Sequence, residues 1–209
     1  MTQGSRQGNN RGVAGLALAG GRSSRFGSEK AIAMLAGETL LGRVVATLRE
    51  TCEIIAVSTT VGGGAYALAR AVGLPVVTDD PLYDSGPLAG LAAGLAWAQA
   101  QGFTHLVSLP CDTPLAGARE ILALTAALGD APAAYAATAD GPQPLCAAWR
   151  TDLAGVLGVR LTFGRHPAVR SFLREIGAIE VAFADPRPFR NANSPAALAD
   201  MARDADLGR

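Results

Sequence analysis

The sequence has no excess of charge of either sign. Its 209 residues include 18 basic and 18 acidic side chains, so the formal net charge is zero. A protein without a long-range field is not drawn electrostatically to nucleic acid or to an anionic membrane. Neither partner is therefore expected, and any anion site has to be local.

Cysteine is scarce, and long apolar segments are missing. Cys52, Cys111 and Cys146 are too few and too widely spaced for a disulfide framework or a zinc site, so we expect reduced core residues. The polar first twelve residues lack the apolar stretch of a signal peptide, and no later segment has the apolar length that spans a bilayer. These features predict a cytoplasmic protein with a disordered tail over residues 1–12 and a single domain over residues 13–209.

Strand and helix patterns alternate along that domain. Apolar runs predict strands over residues 13–19, 54–58, 74–78 and 104–109. Helical periodicity predicts helices over residues 40–51, 65–72, 90–101 and 114–128, the last with Pro114 in its first turn. Connections of this length imply parallel strands with right-handed crossovers.

The second half of the chain continues with strands and helices. Residues 133–138 and 145–149 flank the turn sequence 139–142 and predict an antiparallel pair at the sheet edge. A helix over residues 169–176, a strand over residues 179–183 and a helix after Ser194-Pro195 are expected to follow. The predicted fold class is α/β, with a mostly parallel mixed sheet.

The loop after the first strand combines glycine with positive charge. Residues 18–30 read LAGGRSSRFGSEK, in which Gly20 and Gly21 let the backbone approach an anion while Arg25 and Lys30 supply charge. Phosphates gather at this end of open α/β sheets. The spacing fits neither a P-loop nor a dinucleotide fingerprint. The segment predicts a triphosphate site, the alternative being a strand end followed by a solvated loop.

Two aspartates follow other predicted strands. Asp112 comes directly after a buried strand, where an ionised carboxylate needs compensation, and Mg²⁺ bound to one carboxylate and substrate phosphates would supply it. The alternative is that Asp112 caps the helix near Pro114. Asp79 follows the third strand, where it either meets the ligand or simply ends the strand.

The segment LAGGRSSRFGSEK resembles the signature of the nucleotidyltransferase superfamily, whose three-layer, Rossmann-like fold includes sugar-phosphate nucleotidyltransferases and molybdenum cofactor guanylyltransferases. Four further segments are similar to those of the guanylyltransferases: GPLAG at 86–90, CDTP at 111–114, GPQPL at 141–145 and NANSP at 191–195. The resemblance covers residues 15–199.

The resemblance implies a set of site residues. The residues implied to contact the nucleotide are Leu18, Ala19, Gly20, Gly21, Lys30, Asp79, Gly86, Pro87 and Leu88. Arg25 and Lys30 are implied to hold the triphosphate, and Asp112 and Asn193 to hold Mg²⁺. The residues implied to face the acceptor are Gln143, Pro144 and Asn191.

The implied reaction is Mg²⁺-dependent transfer of GMP from GTP to molybdopterin or its molybdenum-loaded form, with release of pyrophosphate. Transient contact with molybdenum-insertion proteins or recipient molybdoenzymes is implied as well. Ser58-Thr59-Thr60 stands where guanylyltransferases commonly have asparagines. Cytidylyl transfer to molybdopterin, a sugar-phosphate acceptor and a non-catalytic nucleotide-binding subunit therefore stay open.

Two further alternatives concern the last third of the chain. Asn191 and Asn193 are equally suited to an Asx turn that caps the last helix. The segment 164–174, with its arginines, either lies near the acceptor or forms a solvated helix face.

Overall fold

The computed structural model describes residues 12–20, 29–79, 86–162 and 167–207. The strands in these residues are β1 (Val13–Leu18), β2 (Met34–Leu35), β3 (Glu38–Thr39), β4 (Ile54–Ser58), β5 (Val76–Val77), β6 (His105–Pro110), β7 (Ala133–Thr138), β8 (Gly141–Arg150) and β9 (Ile179–Ala182). The helices are α1 (Leu40–Thr51), α2 (Gly64–Ala71), α3 (Pro87–Ala100), α4 (Ala118–Leu128), α5 (Leu153–Thr162), α6 (Val169–Glu175) and α7 (Pro195–Leu207). Short 3-10 turns lie at Lys30–Ile32 and Arg187–Phe189.

Seven strands form one sheet in the order β5-β4-β1-β6-β8-β7-β9. Only β8 runs against its neighbours within this sheet, because β5, β4, β1 and β6 are parallel and β8 pairs antiparallel with both β6 and β7. The predicted α/β fold with a mostly parallel mixed sheet is confirmed. β2 and β3 form a separate small hairpin.

Each face of the sheet is covered by helices that bury an apolar core. One core contains side chains of α1, α2, α4 and α7, and the other contains side chains of α3, α5 and α6. Successive residues of β1 divide between the two cores: Ala17 packs in the first and Leu16 in the second, both fully buried. This alternation explains why the strand reads as a continuous apolar run.

Backbone hydrogen bonds draw the carboxyl ends of three strands together. Ala19 N donates to Ser58 O at 2.9 Å, and Cys111 N donates to Leu18 O at 3.0 Å. The loops that follow β1, β4 and β6 therefore start side by side at one edge of the sheet, where open α/β sheets bind ligands.

Three predicted starts of helices or strands were wrong. Helix α3 begins at Pro87 and not at Gly90, because proline fits the first turn of a helix. Helix α4 begins at Ala118, four residues after Pro114, because Gly117 is its N-cap and Glu120 accepts a hydrogen bond from Gly117 N. Strand β8 begins at Gly141, inside the predicted turn. Its pairing with β7 shifts register at a bulge, which accommodates Pro144 because proline cannot donate to a ladder.

Helix α5 and the β2–β3 hairpin were not predicted from the sequence. In the described part of the chain, no helix is long and apolar enough to cross a bilayer. The predicted tail over residues 1–12 lies outside the described residues except for Gly12.

Candidate active site

Lys30 lies between two oxygen acceptors at the carboxyl edge of the sheet. Its Nζ donates to Asn193 Oδ1 at 2.7 Å and to Asp112 Oδ2 at 3.1 Å. The Lys30 side chain is 18% exposed and that of Asp112 is 31% exposed, so the ion pair is partly shielded from water. Three predicted site residues thus meet, although 82 and 163 residues separate Lys30 from its partners.

Lys30 is also the only lysine in a sequence that has 18 basic side chains, all the others being arginine. The lysine ammonium is a compact charge that fits between two oxygens, whereas the arginine guanidinium is a wider planar fork that would place its charge and donors differently. Position 30 is therefore the one place in the sequence where the basic side chain is an ammonium.

Asp112 is fixed by the backbone on both sides of it. Cys111 N is bonded to the end of β1, and Asp112 O accepts from Ala192 N at 2.7 Å. Because α4 starts at Ala118 with Gly117 as its N-cap, Asp112 does not cap that helix. The alternative role considered for Asp112 is thereby excluded, and its carboxylate faces Lys30 instead.

The segment 191–193 links this centre to strand β8. Asn193 faces Lys30, while Asn191 Nδ2 donates to Gln143 Oε1 over a long 3.4 Å. The cap of α7 comes from Ser194, whose Oγ accepts from Ala197 N at 3.1 Å. The predicted serine cap and first-turn proline are confirmed, and the two asparagine side chains are left for other contacts.

A second group of side chains surrounds Gly90 on α3. A Cβ at that position would lie 2.4 Å from Ser58 Oγ and 3.5 Å from both Asp79 Oδ1 and Leu18 Cδ2. Asp79 and Leu18, both predicted to contact the nucleotide, are therefore neighbours, and Ser58 and Gly90 join them. Burial raises the pKa of the half-buried Asp79 carboxyl.

Thr59 carries a buried hydroxyl that lacks a partner. The residue is 4% exposed, and its Oγ1 makes no hydrogen bond within the described residues. Such a group costs about 1–3 kcal/mol of desolvation. Thr59 directly follows β4, beside the Gly90 cluster, so this cost falls at the edge of the candidate site.

Glu29 makes a contact that was not predicted from the sequence. Its two carboxylate oxygens accept from Gly64 N at 2.5 Å and from Ala65 N at 3.0 Å, the first amides of α2. The available signal was an acidic residue next to Lys30 together with the glycine pair 63–64, but nothing in the sequence shows that these segments meet.

A cavity of about 320 Å³ opens beside the 191–193 segment. Its wall combines apolar and polar side chains: Thr138, Asp140, Gln143, Pro186, Phe189, Arg190, Asn191, Ala197 and Met201. Two of the three predicted acceptor residues, Gln143 and Asn191, line it. Pro144 lies next to them on β8 at the bulge.

The remaining predicted residues are placed as follows. Gly86 and Pro87 are exposed at the start of α3, Gly20 is exposed after β1, and Ala19 and Leu88 are buried. Gly21 and Arg25 lie outside the described residues, as do Arg165 and His166. Arg170 reaches the carbonyl of Pro142 at 3.5 Å.

Cys111 does not act as a nucleophile beside Asp112. It is 4% exposed, and burial together with the Asp112 charge raises the pKa of its thiol. Burial likewise raises the pKa of Cys146 to about 12. In the described segments no three His, Cys, Asp or Glu side chains group as metal ligands.

Comparison with known proteins identifies the family. Residues 15–179 match the MobA-like NTP transferase domain. The chain belongs to this family. It is 42% identical to the molybdenum cofactor guanylyltransferase of Acidiphilium cryptum over 184 residues, covering 87% of this chain and 89% of that protein. It is 38% identical to that of Burkholderia vietnamiensis over 200 residues, covering 91% and 96%.

A solved structure shares the fold of this MobA-like transferase. The molybdopterin-guanine dinucleotide biosynthesis protein A of Archaeoglobus fulgidus superposes with a TM-score of 0.76 at 20% identity, covering 93% of this chain and 99% of that one. The family membership makes the protein an enzyme of the nucleotidyltransferase type. Such enzymes typically use a divalent metal ion.

Proposed function

We propose that this enzyme transfers GMP from GTP to the terminal phosphate of molybdopterin, free or loaded with molybdenum. An acceptor phosphate oxygen attacks the α-phosphorus of GTP, the bond to the β-phosphate oxygen breaks, and pyrophosphate leaves. The convergence of Lys30, Asp112 and Asn193 at the sheet edge carries the proposal. Relatives named for this activity match the chain over most of its length and support it as well.

Lys30 is proposed to neutralise the triphosphate together with Arg25. An ammonium held at the sheet edge is preorganised, so it stabilises charge that develops on the leaving pyrophosphate without reorganising. The acceptor phosphate is ionised at neutral pH, so the reaction needs no general base to create the nucleophile.

The oxygens around Lys30 Nζ suit a hard cation. Asp112 Oδ2 and Asn193 Oδ1 both accept from Lys30 Nζ. Once the ammonium turns to the triphosphate, the two oxygens would be available to Mg²⁺, which prefers oxygen ligands and takes the rest from phosphates and water. We therefore assign Asp112 and Asn193 as the residues that would hold Mg²⁺. When bound, the ion would withdraw charge from the reacting phosphate. The single carboxylate leaves ligand positions for the substrates.

The group around Gly90 is proposed to hold the nucleoside. The missing side chain of Gly90 lets helix α3 pack closely against Leu18, Ser58 and Asp79, which brings these three residues together. The backbone at residues 18–21 would approach the base, and Gly86, Pro87 and Leu88 begin the helix that bears Gly90. A carboxylate and a hydroxyl can accept the N–H donors of a guanine edge.

The cavity beside Asn191 is proposed to take the acceptor. It lies next to the segment that carries Asn193, so an acceptor seated there would bring its phosphate close to Lys30. Phe189 and Met201 form a buried apolar base of this cavity, and Gln143, Asp140 and Arg190 offer polar groups at its edge. Transient contact with molybdenum-insertion proteins or recipient molybdoenzymes would deliver the acceptor or remove the product.

A direct test incubates the purified protein with molybdopterin, Mg²⁺ and one nucleoside triphosphate at a time, and measures pyrophosphate. We expect release with GTP and little with ATP, UTP or CTP. Release with CTP and not with GTP would instead favour cytidylyl transfer. Ser58-Thr59-Thr60 is the segment that keeps this alternative open, because it has hydroxyls where guanylyltransferases commonly have asparagines. No release with any nucleotide would refute transfer to molybdopterin.

A further inference from the structure

Glu29 ties the end of the glycine-rich loop to helix α2. Both of its carboxylate oxygens accept from backbone amides, Oε2 from Gly64 N and Oε1 from Ala65 N. The first amides of a helix have no partner inside the helix, and its positive dipole end stabilises a carboxylate. The contact spans 35 residues of sequence, so it fixes two separate segments against each other.

The backbone that receives the carboxylate has no side chains in the way. A Cβ at Gly63 would lie 2.8 Å from Glu29 Oε2, and a Cβ at Gly64 would lie 2.8 Å from Ile32 Cδ1. Distances this short require something to shift. The two glycines therefore let α2 approach both the Glu29 carboxylate and the 3-10 turn that follows it.

The backbone of Lys30 is held on its other side as well. Ala31 is 2% exposed and packs in the core, and Ala33 N donates to Lys30 O at 3.0 Å. Lys30 thus stands between a clamped carboxylate and a buried alanine. Its side chain extends from this fixed point toward Asp112 and Asn193.

We propose that Glu29 is a positioning residue for the transferase reaction, because its clamp on α2 sets where the Lys30 ammonium lies. The inference rests on the proposed function in so far as Lys30 serves catalysis. Misplacing a catalytic group by about 1 Å costs as much as 10²-fold in rate. A plain helix cap would affect stability only.

The chain supplies both a reporter and a matched control. Because Lys30 is the only lysine, protein labelled with ¹³C at lysine Cε gives one side-chain signal. Glu120 also accepts from a backbone amide at a helix start, Gly117 N at 3.0 Å, but on α4. Glu120→Ala therefore removes a comparable cap without touching α2 or Lys30.

In Glu29→Ala we expect the lysine signal to move toward its position in the unfolded chain, and in Glu120→Ala to stay where it is in the unaltered protein. Glu29→Gln keeps one acceptor oxygen and is expected to retain most of the native signal. If Glu29→Ala fails to fold, the Glu29→Gln variant takes its place in this comparison. The lysine signal is measured without turnover. It therefore shows whether Glu29 sets the position of Lys30 even if GTP is not the substrate.

In the pyrophosphate assay, kcat is expected to fall roughly 10- to 100-fold in Glu29→Ala with an unchanged KM for molybdopterin. Glu29→Gln should recover much of the loss, and Glu120→Ala should keep its kcat while its melting temperature drops. If both Glu29 variants keep the lysine signal and kcat and show only a lower melting temperature, Glu29 is a helix cap and does not position Lys30. An inactive unaltered protein would instead overturn the proposed function.

Discussion

Lys30 Nζ lies 3.1 Å from Asp112 Oδ2, an ion pair that joins the glycine-rich loop after β1 to the loop after β6. The same ammonium contacts Asn193, just before α7. Since the Asp112 carboxylate is only 31% exposed, replacing Lys30 by a neutral residue removes the positive charge that faces it in a place where water reaches it incompletely.

Replacing Lys30 separates charge from shape. Lys30→Arg keeps the charge but brings a planar group, and Lys30→Met removes the charge at similar length. Both variants are expected to lose about 10²-fold or more in kcat/KM, because a preorganised cation at the phosphates is lost or displaced. Steady-state pyrophosphate release measures this. Near-normal activity of Lys30→Arg would show that charge alone suffices.

The two asparagines of the 191–193 segment should differ in their kinetic effects. Asn193→Ala removes a proposed metal ligand, so kcat is expected to fall roughly 10- to 100-fold and the Mg²⁺ concentration required for activity to rise. Asn191→Ala is expected to raise the KM for molybdopterin and to change kcat little. Titrations of Mg²⁺ and of acceptor distinguish the two. Identical profiles would argue against separate metal and acceptor roles.

Thr59→Val tests the unpartnered hydroxyl. Valine has nearly the same shape, so the change removes a buried polar group without leaving a cavity. We expect the free energy of unfolding to rise by about 1 kcal/mol, or roughly 2–4 °C in melting temperature. A drop in melting temperature would mean that the hydroxyl has a stabilising partner.

Asp79→Asn links stability to pH. Burial raises the pKa of the Asp79 carboxyl above its ordinary value of 3.8, so the stability associated with this group is full below about pH 3.8 and is lost as pH rises through the raised pKa. The variant has no charge to desolvate. Its melting temperature should exceed that of the unaltered protein at pH 7, and the difference should shrink toward pH 3.5.

Melting curves of both proteins across that range measure the effect, and a difference that grows in acid would contradict it. If Asp79 contacts the nucleoside, the same variant should also bind GTP more weakly. Stability and affinity would then move in opposite directions, as expected where a buried charge is kept for binding.

The alternation of strands and helices could be predicted because the buried strands are short apolar runs between helical patterns. Helix α5 could not, since Gly155 and Gly158 interrupt its pattern and its stability comes from packing of Leu153, Leu157 and Leu161 in the core. The start of β8 was missed because prolines usually mark turns, and only pairing with β7 reveals the bulge.

The site could be predicted in part for a similar reason. Lys30, Asp112 and Asn193 could each be predicted from a motif. That Asp112 and Asn193 both contact the Lys30 ammonium could not, because it depends on three separate segments meeting at the sheet edge. Glu29 and Gly90 act through contacts with distant backbone or side chains, which no local pattern reports. The cavity beside Asn191 likewise forms only when β7, β8 and α7 come together.

One competition experiment tests most directly whether this enzyme transfers GMP to molybdopterin. The protein is incubated with molybdopterin, Mg²⁺ and equal concentrations of GTP and CTP, and the products are resolved by mass spectrometry. We predict the guanine dinucleotide of molybdopterin as the main product, and no product from an Asp112→Ala variant. A product carrying cytosine would refute the proposed guanine specificity, and unchanged product formation by Asp112→Ala would refute the proposed role of Asp112.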